Sequence, residues 1–286
     1  YIELDGKLYF GFTPRLRLFY EKEIYDGLSK EQRDNSLDYC KSMFGFATDN
    51  ESYRSRLSFQ EAVIDKNISE NGKTAVVLGE PKPTSYLDYL VGKNGEAVTY
   101  RGDFALRGMK QYWLHTKEAA SVLGNNKDVG SDFYPYPKET SFTGQIRFSN
   151  LSEEELGMLL WSLLLEKNSQ QNIGKGKPYG FGRVEISLKQ LNILDTAAMY
   201  DSETLCLEPY REEKELCSEY VDKAKKDMTR FLGKDVMEHP PVRDFLLMKN
   251  GNEIPDDSKT HYMSIEGRDS DYQVRNREQI PLDTIG

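Results

Sequence analysis

Residues 142–189, FTGQIRFSNLSEEELGMLLWSLLLEKNSQQNIGKGKPYGFGRVEISLK, contain the elements around which the rest of the chain is predicted to fold. It opens with Phe142, Ile146 and Phe148 on one parity and polar residues on the other. This period-two pattern is typical of a strand with one buried face. A strand is therefore predicted over residues 142–149.

A helix is predicted directly after this strand. Ser152 and Glu155 have the spacing of a capping box, and leucines at helical spacing follow them. A glycine-rich loop occupies residues 173–183, and a second alternating stretch over residues 183–189 is predicted to return to the same sheet. The predicted unit is strand, helix, loop, strand.

The glycine-rich loop is the candidate for chemistry. Its glycines can take positive φ angles and let the backbone approach a ligand closely. Lys175, Lys177 and Arg183 add positive charge, with no acidic residue between them. A polyanion backbone fits this composition. The alternative is a solvated turn whose glycines only satisfy the local geometry.

The order of elements argues against a nucleotide-binding loop of the better-known kinds. A dinucleotide fingerprint or a Walker A loop follows a strand and opens a helix. Here a helix precedes the loop and a strand follows it, and Gly176-Lys177 is followed by Pro178 rather than by Ser or Thr. Binding of ATP or NAD through this segment is not expected.

Length and composition bound the possibilities. The chain has 286 residues, enough for one large or two ordinary domains. No uninterrupted apolar stretch is long enough to span a membrane. Cys40, Cys206 and Cys217 are widely spaced, which favours a reducing cytoplasm, and the three histidines have no zinc-binding spacing. The missing initiator Met predicts a processed product or part of a longer chain.

The net charge of -9 is unusual for a nucleic-acid-binding protein. The charge is uneven, however, because residues 201–238 carry eleven acidic against seven basic residues while the loop at 173–183 is purely basic. A local groove can be positive on an acidic protein, so the net sign neither supports nor excludes RNA.

Two further basic segments are candidates for phosphate contacts. Arg54 and Arg56 share a parity in a predicted strand, which is usually a solvated face but can also line a phosphate track. Arg107 and Lys110 lie close in sequence to Tyr112 and Trp113, and such a mixture of basic and aromatic residues is what base stacking and phosphate pairing need. Taken alone, however, this segment is better explained by a buried Tyr–Trp pair beside surface charges.

The chain becomes charged and helical after about residue 200. An amphipathic helix is predicted over residues 215–232, ending at Gly233, and a second helix is predicted after Pro240-Pro241. Residues from Gly251 onward are predicted to form a surface arm. We therefore expect one domain over residues 1–200 and a helical extension with a C-terminal arm over residues 201–286.

Several motifs together resemble one family. They are Phe44-Gly45, then RSRLSFQEA at residues 54–62, then LRGMKQYW at residues 106–113, and finally the strand, capped helix and glycine loop. In this order they resemble the RAMP superfamily of CRISPR-associated proteins, most closely the backbone-type modules of type III effectors. The similarity covers about residues 8–190, and the loop is its most specific part.

The resemblance implies an α+β fold with a ferredoxin-like, RRM-type core, insertions and a helical C-terminal extension. It implies that the module holds CRISPR guide RNA, which pairs with complementary target RNA, and stacks on neighbouring RAMP modules in antiviral defence. Neither DNA nor a membrane is an expected partner. The residues implied to contact or shape the guide-RNA path are Gly174, Lys175, Gly176, Lys177, Tyr179, Gly180, Gly182 and Arg183, with Arg54, Arg56, Arg107 and Lys110 matched by context.

The resemblance leaves catalysis open. The family's opening strand is not visible here, and in RNA-cleaving members the catalytic acid lies in that portion. Asp49, Asp65 and Asp103 are predicted in loops, but no motif assigns any of them a role. A structural RNA-binding module without a cofactor is the favoured function. The alternatives are a metal-dependent endoribonuclease subunit, which would need Mg²⁺, and a metabolic enzyme on a ferredoxin-like sheet.

Overall fold

The computed structural model describes residues 1–4, 6–12, 20–30, 32–33, 36–78, 86–118, 130–200, 209–260, 272–273 and 278–279. The chain forms two compact units. The first comprises residues 1–35, 80–110 and 263–286, and the second comprises residues 36–79 and 111–262.

The strands are short. In chain order they are β1 (Ile2–Leu4), β2 (Lys7–Tyr9), β3 (Phe46–Ala47), β4 (Ser52–Tyr53), β5 (Leu57–Phe59), β6 (Val63–Ile64), β7 (Thr74–Val77), β8 (Leu90–Val91), β9 (Ala105–Leu106), β10 (Gly130–Phe133), β11 (Phe142–Thr143), β12 (Ile146–Phe148), β13 (Gln171–Asn172), β14 (Arg183–Val184), β15 (Asn192–Leu194), β16 (Tyr210–Glu212), β17 (Tyr272–Gln273) and β18 (Glu278–Gln279).

The α-helices are α1 (Tyr39–Phe44), α2 (Glu153–Leu164), α3 (Thr196–Met199), α4 (Cys217–Leu232), α5 (Pro240–Lys249) and α6 (Asp257–Thr260), and short 3₁₀ helices connect several elements. Among the described residues no helix is long and apolar enough to cross a membrane.

All described strand pairs are antiparallel and two-stranded, so the fold is mixed α and β with small antiparallel sheets. The pairs are β1–β2, β3–β4, β5–β12, β6–β11, β7–β10, β8–β9, β13–β14, β15–β16 and β17–β18.

In the second unit, three ladders form one long interrupted ribbon, because β5, β6 and β7 pair with β12, β11 and β10 in reverse order. Leu57 lies opposite Phe148, and the buried Val76 lies opposite Ser131. The predicted strand over residues 142–149 is thus confirmed as β11 and β12, with an interruption at residues 144–145.

Helix α2 is the centre of the second unit. It begins at the predicted capping box, in which the Ser152 hydroxyl accepts from the Glu155 amide and the Glu155 carboxylate accepts from the Ser152 amide. One of its faces packs on α4, where Leu156 and Leu160 contact Tyr220. Another packs on Met43 and Leu57.

The helices predicted after residue 200 are confirmed. Helix α4 ends at Gly233, which has a φ angle of 67°, and α5 begins with two prolines in its first turn. Both belong to the second unit, and α4 contributes to its core. Most of the predicted C-terminal arm, residues 261–271, 274–277 and 280–286, lies outside the described residues, as does Cys206.

One strand prediction was wrong. The stretch after the loop was expected to return to the sheet formed by residues 142–149, but β14 covers only residues 183–184 and pairs with β13. The Ile173 amide donates to the Gly182 carbonyl, so β13 and β14 form a hairpin and the loop connects them.

Candidate functional site

The glycine-rich loop is the connection of the β13–β14 hairpin. A 3₁₀ turn over Lys177–Tyr179 lies inside it. The amides of Tyr179 and Phe181 both donate to the Gly176 carbonyl, at 2.8 and 3.2 Å. Because these amides are used within the loop, they are not offered to a ligand.

The loop is anchored to the β7–β10 ribbon by two aromatic residues. Phe181 is buried and meets Phe133 edge to face, with the ring centroids 5.0 Å apart. The Tyr179 hydroxyl donates to the Val77 carbonyl at 2.8 Å. Tyr179, predicted as an RNA contact, therefore also holds the loop to the ribbon.

All four loop glycines have positive φ angles, and at three of them a side chain would also meet a close contact. A Cβ atom on Gly180 would lie 2.3 Å from the Lys117 carbonyl oxygen, and one on Gly182 would lie 1.8 Å from the Ile173 carbonyl oxygen. A Cβ atom on Gly176 would lie 2.7 Å from the Phe133 ring. At Gly174, however, the Cβ position meets no atom within 4 Å. Gly174 and the exposed Lys175, called the loop tip below, therefore face open space.

The three basic residues of the loop differ in their surroundings. The Lys177 ammonium donates to the Gly174 carbonyl at 2.8 Å and lies 5.2 Å from the Tyr112 ring centroid. Arg183 donates to the His115 carbonyl at 3.0 Å. No hydrogen bond or ion pair joins the exposed Lys175 side chain to a described residue. Lys175 is the loop cation that is most available to an anion.

The structure adds a lysine that sequence analysis missed. Lys249, at the end of α5, is only 3% exposed, and its ammonium donates to the Tyr112 carbonyl at 3.1 Å and to the Asn172 side-chain oxygen at 2.5 Å. Burial, and secondarily the charge of Lys177, lowers the pKa of Lys249. No signal in the sequence connects this helix end to a loop about seventy residues earlier.

A second buried group supports the loop from His115. The His115 Nδ1 atom lies 3.5 Å from an Asp257 carboxylate oxygen, and both the amide and the hydroxyl of Thr116 donate to the same carboxylate. Burial lowers the pKa of His115, and the Asp257 charge opposes that shift. His115 is therefore a buried residue of the second unit.

Of the other predicted contacts, Arg54 and Arg56 belong to the second unit. Arg54 is exposed, just before β5. Arg56 pairs with the Glu155 carboxylate and donates to the carbonyls of Ser42 and Asn150, so it is engaged in packing.

The second basic segment belongs to the first unit, whereas the loop belongs to the second. Arg107 donates to the Leu90 carbonyl at 3.0 Å. The Lys110 ammonium lies 4.2 Å from the Tyr89 ring centroid and 3.9 Å from an Asp88 carboxylate oxygen. In the second unit, Tyr112 is 44% exposed and Trp113 is partly buried, so the two do not form the buried pair that was the alternative.

The three loop aspartates have ordinary surroundings. Asp49 is exposed between β3 and β4. Asp65 accepts from the Thr143 hydroxyl at 2.6 Å and Asp103 pairs with Lys22 at 2.9 Å, and these hydrogen bonds lower the pKa of each carboxyl. Within the part of the chain that the structure describes, no group of three or more His, Cys, Asp or Glu residues is placed to hold a metal ion.

Two comparisons with known proteins gave no match. No protein-family model matches the chain, and no curated protein matches it significantly.

Proposed function

We propose that this chain is a guide-RNA-binding structural module of a type III CRISPR RNA-targeting effector in the cytoplasm, built on a ferredoxin-like core within residues 1–200. Its partners are CRISPR RNA, the complementary target RNA and neighbouring modules of the same kind. The RNA backbone runs past the tip of the glycine loop, where Lys175 contacts a phosphate.

The observation that carries this proposal is the contrast between the two ends of the loop. Its second half is locked by Phe181, Tyr179 and the close contacts of Gly180 and Gly182. Its tip is open, because Gly174 has free space around it and Lys175 has no described partner. A rigid base beneath an unpaired cation suits a phosphate group, because the loop backbone is already ordered and loses little conformational entropy on binding.

The tip also offers main-chain donors. Among the described residues, the amides of Gly174 and Lys175 donate to no acceptor. Successive free amides beside a cation form a concave site for an anion. Phosphate contacts of this kind position a strand without reading its sequence, which is what a module that holds many different guides requires.

The test is binding of a fluorescently labelled single-stranded RNA, measured by anisotropy at about 100 mM salt, near the middle of the range in which phosphate contacts respond to salt. Lys175→Glu should weaken binding about tenfold or more, since a hydrogen bond to a charged group contributes roughly 1.5–3 kcal/mol. The matched control is Lys66→Glu, which makes the same charge change at another exposed lysine of the second unit.

Equal weakening by the two variants would mean that only net charge matters, and unchanged affinity in Lys175→Glu would remove the loop from the site. Lys175→Glu is a sharper variant than one that also replaces Arg183, because Arg183 holds the His115 carbonyl and its loss would disturb packing.

A further inference from the structure

Tyr112 is an exposed residue beside the loop. The residue is 44% exposed, and the Lys177 ammonium lies 5.2 Å from the centroid of its ring. The Lys177 ammonium is itself held by the Gly174 carbonyl at the tip. An aromatic face and the proposed phosphate site are therefore joined through one side chain.

Lys249 fixes the backbone of Tyr112. Its buried ammonium bridges the Tyr112 carbonyl and the side chain of Asn172, which belongs to β13. Burying a lysine ammonium is costly unless it makes hydrogen bonds, so the two hydrogen bonds of Lys249 are not readily given up. They hold the Tyr112 backbone in a constant position relative to the hairpin. A pre-positioned aromatic ring is what a stacking contact needs.

The local charge also favours an anion close to the ring. Lys177 is near enough to Lys249 for its positive charge to lower the pKa of the Lys249 ammonium. No described carboxylate lies within ion-pairing distance of Lys249 to compensate. A phosphate bound at the loop tip would relieve this repulsion. The ligand that satisfies both features carries a phosphate and an unpaired aromatic ring.

We propose that Tyr112 stacks on an unpaired nucleobase whose neighbouring phosphate occupies the loop tip, and that Lys249 is a positioning residue for Tyr112. This inference rests on the proposed function and adds to it a contact to the base. Stacking on an aromatic ring tolerates any base, since each has a π face, so the contact suits single-stranded RNA of any sequence.

The experiment compares two labelled probes of equal length: an oligoadenylate RNA and an abasic ribose-phosphate oligomer that has the same charge but no bases. Tyr112→Leu should weaken binding of oligoadenylate about tenfold, within the range measured for loss of one stacked base, and leave the abasic probe unchanged. Tyr112→Phe keeps the ring and should stay within about twofold of the wild type on both probes, since only the hydroxyl is lost.

Two further variants complete the design. Tyr210→Leu removes another exposed tyrosine of the second unit, 62% exposed, and should change neither affinity. Lys249→Met should weaken oligoadenylate more than the abasic probe, because it releases Tyr112 and leaves Lys175 in place. A purely structural lysine would instead lower both affinities equally, together with the thermal midpoint.

The results separate this inference from the proposed function. If Lys175→Glu weakens both probes while Tyr112→Leu weakens neither, or weakens both equally, the stacking contact is disproved and the phosphate site stands. If the wild-type chain binds neither probe, both the site and the stacking contact are disproved.

Discussion

The Arg56 guanidinium is paired with the Glu155 carboxylate, and the same carboxylate closes the capping box at the start of α2. Their side chains are only 17% and 15% exposed, and the Ser42 hydroxyl donates to the same carboxylate at 2.6 Å. One ion pair thus joins α1, the segment before β5 and the first turn of α2.

Replacement of Arg56 should destabilise the second unit. We expect Arg56→Ala to lower the free energy of unfolding by about 3 kcal/mol, because removing one partner leaves a largely buried carboxylate without its cation. Urea denaturation followed by far-UV circular dichroism measures this. The control is Arg54→Ala, at an exposed position two residues earlier, which should change the free energy of unfolding by less than about 0.5 kcal/mol. Similar losses of stability in the two variants would contradict the prediction.

The same pair should make stability depend on acid. Burial alone would raise the pKa of Glu155, but hydrogen bonds from Arg56, Ser42 and the Ser152 amide outweigh it, and the pKa is lowered from 4.5. A lowered carboxyl pKa stabilises the fold above pH 4.5, and the contribution is lost as the pH falls through the folded-state pKa. Glu155→Gln should therefore lose less stability than the wild type between about pH 5 and pH 2.

Gly157 should resist replacement although it lies in a helix. A Cβ atom there would lie 1.9 Å from the Tyr220 carbonyl oxygen of α4. Gly157→Ala gains about 1 kcal/mol of helix propensity, but it forces α2 and α4 apart and should be destabilising overall, by about 1–3 kcal/mol. The control is Ser162→Ala, on the exposed side of α2. The thermal midpoint of unfolding measures the effect, and a midpoint of Gly157→Ala at or above that of the wild type would refute the prediction.

Two loop glycines should respond differently to the same change. Gly174 and Gly182 have nearly equal φ angles of 74° and 71°, so alanine carries a similar backbone cost of about 1–2 kcal/mol at each. Only Gly182 also faces a carbonyl oxygen, at 1.8 Å from the Cβ position. Calorimetry should show a larger fall in thermal midpoint for Gly182→Ala than for Gly174→Ala, and equal falls would mean that the close contact is relieved at little cost.

Salt should weaken RNA binding steeply. If phosphate contacts dominate, affinity falls strongly between about 50 and 200 mM salt, with a logarithmic slope of roughly -0.7 for each phosphate neutralised on a single strand. Lys175→Glu should reduce the magnitude of that slope by roughly 0.7, the contribution of one phosphate contact. A wild-type affinity that does not vary with salt would instead favour a small-molecule pocket.

Much of the local structure could be predicted because it depends on neighbours in sequence. The capping box at Ser152 and Glu155, the end of α4 at Gly233 and the proline start of α5 are short-range features, and each was confirmed.

Short-range patterns in the sequence were enough to predict the strand at residues 142–149 and helices α2, α4 and α5, and they show that the loop between residues 173 and 183 is basic and glycine-rich. They did not predict the partner of β14. Contacts made on folding set which cations remain available: Arg56 is paired with Glu155, Arg183 donates to a carbonyl, and Lys175 is exposed. The same contacts bring the Lys249 ammonium to the Tyr112 carbonyl. Capping and periodicity act over a few residues, whereas the environment of a charge depends on segments that are distant in sequence and meet only on folding.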